Sequence, residues 1–217
     1  MKQNYQRQLE ECIATATTNG ERPSLLLHAC CAPCSSYVLE YLSAHFSITL
    51  FFYNPNIAPE EEYIFRANEL IRLVKEMGLA DQVKILIADY YPEEFLAIAK
   101  GLEELPEGGS RCVGCYRLRL RASAEAARDG GFDFYTTTLS ISPYKNAEWL
   151  NTIGKEEAER VGVRWLPSDF KKKNGYKRSC ELSAQYDLYR QNYCGCVYSK
   201  RANEASRKED QKKDGQD

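Results

Sequence analysis

The sequence predicts an α/β domain built on a parallel sheet with helices on both faces. Three observations carry this. Short runs rich in Leu, Ile and Phe recur along the chain, bounded by turn residues, as strands buried on both sides require. Stretches with helical apolar spacing separate them, and strand–helix alternation implies crossover connections. The 217 residues are enough for one such domain with a full core plus a small extension.

Residues 1–20 read as an amphipathic helix ending near Asn19-Gly20, outside the main domain of residues 21–199. SLLLHAC (24–30) is a buried strand, and 34–44 the helix after it. SITLFFYN (47–54) is a second strand, and 60–77 an acid-led helix closed by Gly78. VKILIAD (83–89) is a third strand, and Pro92 opens a helix at its first turn. A helix over 115–128 is stopped by Gly130-Gly131, and FDFYTTTL (132–139) is a fourth strand. A helix over 146–160, the short strand VRWL (163–166) and a helix over 176–191 complete the domain. Residues 200–217 are polar and charged without apolar periodicity and are expected to be a disordered tail. No repeat is present.

Lys and Arg total 29 against 31 Asp and Glu, a net charge of -2. That balance excludes a general polyanion binder, so a nucleic-acid site has to be a local patch. The polar opening MKQNYQRQLEE has no signal-peptide pattern, and no charge-free run reaches membrane-spanning length. A cytosolic protein with no membrane partner is expected. In that compartment the nine cysteines read as metal ligands or redox thiols rather than structural disulfides.

They fall into clusters. Cys30, Cys31 and Cys34 follow the first strand in HACCAPC. Neighbours such as Cys30 and Cys31 cannot bond to each other without severe strain, because a disulfide wants Cα atoms about 5.5 Å apart. Cys112 and Cys115 form a C-x-x-C at a helix start, which is either a redox pair or half of a four-thiolate site. With Cys30 and Cys31 it gives four soft ligands, and the vicinal pair suits an iron–sulfur cluster better than one tetrahedral zinc. Cys194 and Cys196 form a C-x-C, readable as a strained, redox-active pair or as a flexible turn. Cys34 is a cluster neighbour, a ligand for a further metal, or packing. His28 is a donor behind the ligands or a satisfied strand-end histidine, and Cys12 and Cys180 read as buried apolar positions. In an open α/β sheet, ligands gather outside the carboxyl ends of the strands, where His28–Cys31, Asn54–Asn56 and Thr136–Ser142 all fall.

Taken in order, HACCAPC, YNPNI, RCVGCYRLRL, TTTLSISPYKN, KKKNGYKRS and YCGC resemble the QueH family of cobalamin-independent epoxyqueuosine reductases. The likeness runs from about Ser24 to Arg201. It implies a fold related to the adenine-nucleotide α-hydrolase (HUP) superfamily and the last step of tRNA queuosine synthesis. It also implies a [4Fe–4S] cluster on Cys30, Cys31, Cys112 and Cys115, with Cys34 at the place of a ligand to a second, mononuclear iron. Cys194 and Cys196 match the family's redox-active pair, which an unidentified electron donor resets. The S-G-G-x-D-S pyrophosphate loop of ATP-using relatives of this fold is replaced by HACCAPCSS, so ATP chemistry is not expected.

The tRNA partner needs cations. Arg111 and Arg117, with Arg119 and Arg121, lie in an acid-free segment, and Lys171, Lys172, Lys173, Lys177 and Arg178 form a second run suited to phosphates. Asn54, Asn56 and the Ser140–Lys145 loop suit the modified base, and Tyr53, Tyr144, Tyr176 and Tyr193 could stack on it. Two other function classes share these features: an iron–sulfur tRNA thiolation enzyme and a non-enzymatic zinc- or iron-binding scaffold.

Overall fold

A computed structural model describes residues 3–18 and 20–214, with side chains as far as 207. Residues 1, 2 and 19 of the expected first helix and 215–217 of the expected tail lie outside it. Five parallel strands form one sheet: β1 (Ser24–His28), β2 (Ser47–Phe52), β3 (Lys84–Ile87), β4 (Phe134–Thr137) and β5 (Arg164–Trp165), in the order β3-β2-β1-β4-β5. Leu26 sits opposite Thr49 on one side and Tyr135 on the other. Parallel neighbours need crossovers, and helices supply them. These are α1 (Tyr5–Ala16), α2 (Ala32–Leu42), α3 (Glu60–Glu76), α4 (Pro92–Ala99), α5 (Ser110–Asp129), α6 (Ala147–Val161), α7 (Gly175–Gln185) and α8 (Val197–Asp214).

The alternation of side chains along a strand explains the two layers. Leu25, Leu27 and Ala29 point to one face and pack with Leu9 and Ile13 of α1, Val38, Leu39 and Leu42 of α2, and Leu70 and Val74 of α3. Leu26 and Tyr135 point to the other, where Ala124 and Ala127 of α5 and Ala158 of α6 approach closely. Helices therefore cover both faces, as expected, and α1 belongs to the core. Each completely buried leucine of β1 contributes about 1.5–3 kcal/mol over an exposed one. No helix among the described residues is long and apolar enough to cross a membrane.

Three local expectations need correction. α5 starts at Ser110, not Cys115, so the C-x-x-C lies within its first turns. α7 stops at Gln185 because Asp187 takes a left-handed φ of 44° and Arg72 captures the carbonyls of Tyr186 and Asp187 at 3.0 and 3.1 Å. The expected disordered tail is helical as far as Asp214. It has no apolar stripe, but Ala, Arg, Lys, Glu and Gln are strong helix formers, and the first turn is fixed where the Ser199 N–H donates to Cys196 Sγ at 3.3 Å.

β1 and β4 are neighbours at the centre, and the chain leaves them in opposite directions across the sheet. Their carboxyl ends therefore open a crevice at the switch point, where this fold places ligands.

Candidate metal centre and active site

The crevice contains a cavity of about 450 Å³ walled by residues from nearly every part of the chain. β1 ends at His28, and the chain turns through Ala29 and Cys30 into α2, with Cys31 as its N-cap and Pro33 in its first turn. That turn places Cys30, Cys31 and Cys34 so that their sulfurs lie within 4.8 Å of one another. Cys30 and Cys31 Sγ are 3.8 Å apart, and the Thr138 hydroxyl donates to Cys30 Sγ at 3.5 Å. Cys112 and Cys115, in the first turns of α5, line the same cavity but stand outside this tight trio. The Gly108 N–H donates to Cys112 Sγ at 3.3 Å. Cys34 is thus closer to Cys30 and Cys31 than the ligand set drawn from sequence made it.

The donors are chemically uniform. The sulfurs of Cys30, Cys31, Cys34, Cys112 and Cys115 share one cavity, and the trio contains no imidazole or carboxylate. Soft thiolates select zinc, copper(I) or iron–sulfur clusters. Cys30, Cys31 and Cys34 can therefore hold a metal or cluster. Hydrogen bonds from Cys31 and Cys34, against the effect of burial, hold Cys30 well below the usual thiol pKa. Its hydrogen bond to Cys30 pushes Cys31 up to about 12, and Cys34 is raised for the same reason. The Arg119 guanidinium supplies the positive charge behind these sulfurs, with Nη1 4.0 Å from Cys115 Sγ.

Cys194 and Cys196 approach from the loop before α8, with their sulfurs 3.4 Å apart on the same wall. Gly195 between them has φ 112°, and its carbonyl accepts the Ala58 N–H at 3.0 Å, docking the turn on the loop after β2. The hydrogen bond between the two thiols, against the effect of burial and with help from the charge of Lys145, lowers Cys194 to about 6, while Cys196 is raised.

The residues behind the wall are braces. His28 is buried: its Nε2–H donates to the Tyr53 carbonyl at 3.1 Å, and Nδ1 accepts from the Thr137 hydroxyl at 2.8 Å. Burial and the nearby Arg119 depress its pKa to about 3, so it is neutral. Of its two sequence readings, the satisfied strand-end histidine fits these bonds. Asn54 is also buried and does not reach the cavity: it donates to the Ala29 carbonyl at 2.9 Å and accepts from Arg119 Nη2 at 2.5 Å. Its expected place against the base is therefore corrected.

Only Arg111 and Arg119 of the basic runs are buried, but most of the others are paired within the chain. Arg111, 3 % exposed, donates to the carbonyls of Leu102, Glu103 and Leu105 at 2.6–2.8 Å and lies over the Tyr198 ring. It is not available to an external phosphate, because it is buried and committed to those carbonyls. Arg117 pairs with Glu156 and Glu157. Lys171 pairs with Asp169 at 2.9 Å and donates to the Ser140 carbonyl, Lys173 pairs with Glu10, and Arg178 grips Glu40. Lys172 and Lys177 are exposed without an ion-pair partner among the described residues. Tyr144, 79 % exposed, stands on the cavity rim with Tyr176 and Tyr193, whereas Tyr53 is buried with its hydroxyl on Glu94.

Arg66 and Glu107 on the wall, and Ser199 behind it, escaped the sequence reading. Arg66 donates to the Cys194 carbonyl at 3.4 Å, pairs with Glu62 and lies 5.1 Å from the Tyr193 ring centre. Its signal was available: Tyr63, Ala67, Leu70 and Val74 mark the buried face of α3, and an arginine among them is out of place. Glu107 and Ser199 carried none.

Comparison with known proteins agrees with this geometry. The family model described as "Epoxyqueuosine reductase QueH" matches residues 25–202. A protein of that name from Streptococcus pyogenes is 45% identical over 200 residues, covering 91% of this chain and 78% of its own. One from Staphylococcus epidermidis is 43% identical over 202 residues, covering 91% and 85%. A more distant one from Thermotoga maritima is 35% identical over 182 residues, covering 81% and 90%. The matched span of the family model holds all three cysteine clusters, and the chain belongs to the QueH family.

Proposed function

We propose that this protein reduces epoxyqueuosine to queuosine at the wobble position of tRNA, with Cys194 and Cys196 as the immediate dithiol. The observation that carries this is their 3.4 Å sulfur separation inside a cavity walled by five further thiols. Removing the epoxide oxygen needs two electrons and two protons. A dithiol that closes to a disulfide provides both: the two C–O bonds break, a C=C and an S–S bond form, and the oxygen leaves as water. An external thiol or electron carrier must then reopen the disulfide.

The sulfur-only donor set fits an iron–sulfur cluster. Cys30, Cys31, Cys112 and Cys115 would hold a [4Fe–4S] cluster and Cys34 a second, mononuclear iron. When bound, such a centre supplies one-electron transfer and Lewis acidity. The chain's own part is to hold and shield. Arg66 and the Gly195 carbonyl fix the cysteine turn against the loop after β2, Arg119 balances buried thiolate charge, and Tyr144 and Tyr176 offer rings at the rim for the unpaired base. Lys172 and Lys177 carry charge toward the tRNA backbone. We place the reaction in the cytosol.

Cys194→Ser and Cys196→Ser, each purified anaerobically, test the assignment. Both should bind epoxyqueuosine tRNA like the wild type and form no queuosine over repeated turnovers. Full turnover by both would end the role given to the pair.

A further inference from the structure

Three segments distant in sequence meet beside the cysteine turn at one ion pair. Lys145, from the loop before α6, reaches Glu107 with Nζ 2.7 Å from Oε1, and its side chain is 9 % exposed. The other Glu107 oxygen accepts the Ser199 hydroxyl at 2.8 Å. Ser199 is bonded to both cysteines: its hydroxyl oxygen accepts the Cys194 N–H at 3.3 Å, and its N–H donates to Cys196 Sγ at 3.3 Å. Lys145, Glu107, Cys194 and Cys196 all line the cavity.

The pair keeps a cation whose side chain is little exposed on the cavity wall, beside Cys194 and Cys196. Lys145 is the only lysine among the described wall residues. Of its three N–H groups one is engaged by Glu107, and the ammonium makes no other hydrogen bond among the described residues, so two remain for whatever enters. The neighbouring cations cannot do the same work. Arg66 and Arg111 are committed to backbone carbonyls and Arg119 to Asn54, and a guanidinium does not release protons.

We propose that Lys145 is a catalytic proton donor, giving a proton to the epoxide oxygen as its C–O bond breaks, while Glu107 and Ser199 hold it beside Cys194 and Cys196. The proposal rests on the reductase function put forward above. The sum is unchanged: the dithiol loses two electrons and two protons, the epoxide oxygen leaves as water, and an alkene and a disulfide remain. Lys145 hands over one of those protons and takes its replacement from the dithiol, ending as the ammonium it began as.

The test uses the full chain with its anaerobically assembled metal centre and tRNA carrying epoxyqueuosine, with queuosine counted by mass spectrometry in a single turnover. Lys145→Arg keeps the charge and the Glu107 partner but is a poor proton donor. It should bind tRNA as the wild type does and lose about 10²–10⁴-fold in single-turnover rate, the span of general acid catalysis. Lys145→Ala should lose as much and regain at least tenfold when methylammonium is added. A wild-type rate in Lys145→Arg overturns the proposal, as does a Lys145→Ala protein that no methylammonium concentration revives. Conversion by the wild type in the same assay separates these outcomes from the other failure: with no queuosine from the wild type, the reductase function falls first and the lysine's role with it.

Discussion

Adding one methyl group to Gly195 should damage both stability and chemistry. The residue has φ 112°, which an alanine adopts at a cost of about 1–3 kcal/mol. The new Cβ would lie 2.8 Å from Ile57 Cγ1 and 3.1 Å from Arg66 Nη1. Arg66 is held by Glu62 and the Cys194 carbonyl, so it has little room to retreat, and overpacking adds about 1–3 kcal/mol. If the turn lifts away instead, the bond from the Ala58 N–H to the Gly195 carbonyl is lost, about 1 kcal/mol. The expected loss is therefore roughly 2–6 kcal/mol out of a stability of about 5–15 kcal/mol. Anaerobic urea unfolding followed by circular dichroism measures it, with Gly131→Ala as the control. Gly131 also has a positive φ, 65°, but open space beside it, so it should show the backbone cost alone. Since Gly195 sets the cysteine separation, Gly195→Ala should also slow turnover. Stability within about 0.5 kcal/mol of wild type, with unchanged turnover, would refute the reasoning.

Arg119→Met removes the charge behind the sulfurs without emptying its space; metal loss to a chelator should quicken, with affinity lower by about 10–100-fold, measured as iron retained per chain. Glu157→Gln tests the acid at the centre of Arg117, Arg121 and Arg160. Burial raises its pKa, but hydrogen bonds from Arg160 and Arg121 outweigh this and hold it below the ordinary 4.5. A depressed carboxylate stabilises fully above 4.5 and loses that contribution as pH falls through its folded value. The variant should thus cost about 1–2 kcal/mol at neutral pH, and the difference should shrink below pH 4.5 in thermal melts. Lys172→Glu and Lys177→Glu should each weaken tRNA binding and flatten its salt dependence by about one unit of slope. Lys171→Glu should instead disturb the loop that Asp169 and the Ser140 carbonyl hold.

The central strands were legible because Leu25–Leu27 and the apolar residues of 48–52 leave no polar face, and a strand buried on both sides has no other pattern to show. The cysteine clusters were legible for a related reason: spacing alone brings Cys30, Cys31 and Cys34 to one helix start. Arg111 and Asn54 misled because a charge or amide looks the same in sequence whether it faces water or a set of carbonyls. The helical tail was missed because its residues favour a helix individually without marking a buried face. Lys145 and Glu107 are 38 positions apart, and only the meeting of the loops before α5 and α6 makes them a pair.

The most direct measurement is a stoichiometry. Reduced protein is mixed anaerobically with epoxyqueuosine tRNA and no added reductant, then queuosine and the free thiols at Cys194 and Cys196 are counted together by mass spectrometry. The account predicts that two thiols disappear into one Cys194–Cys196 disulfide for each queuosine formed. Queuosine formed with both thiols intact, or bound tRNA left unreduced, would contradict it.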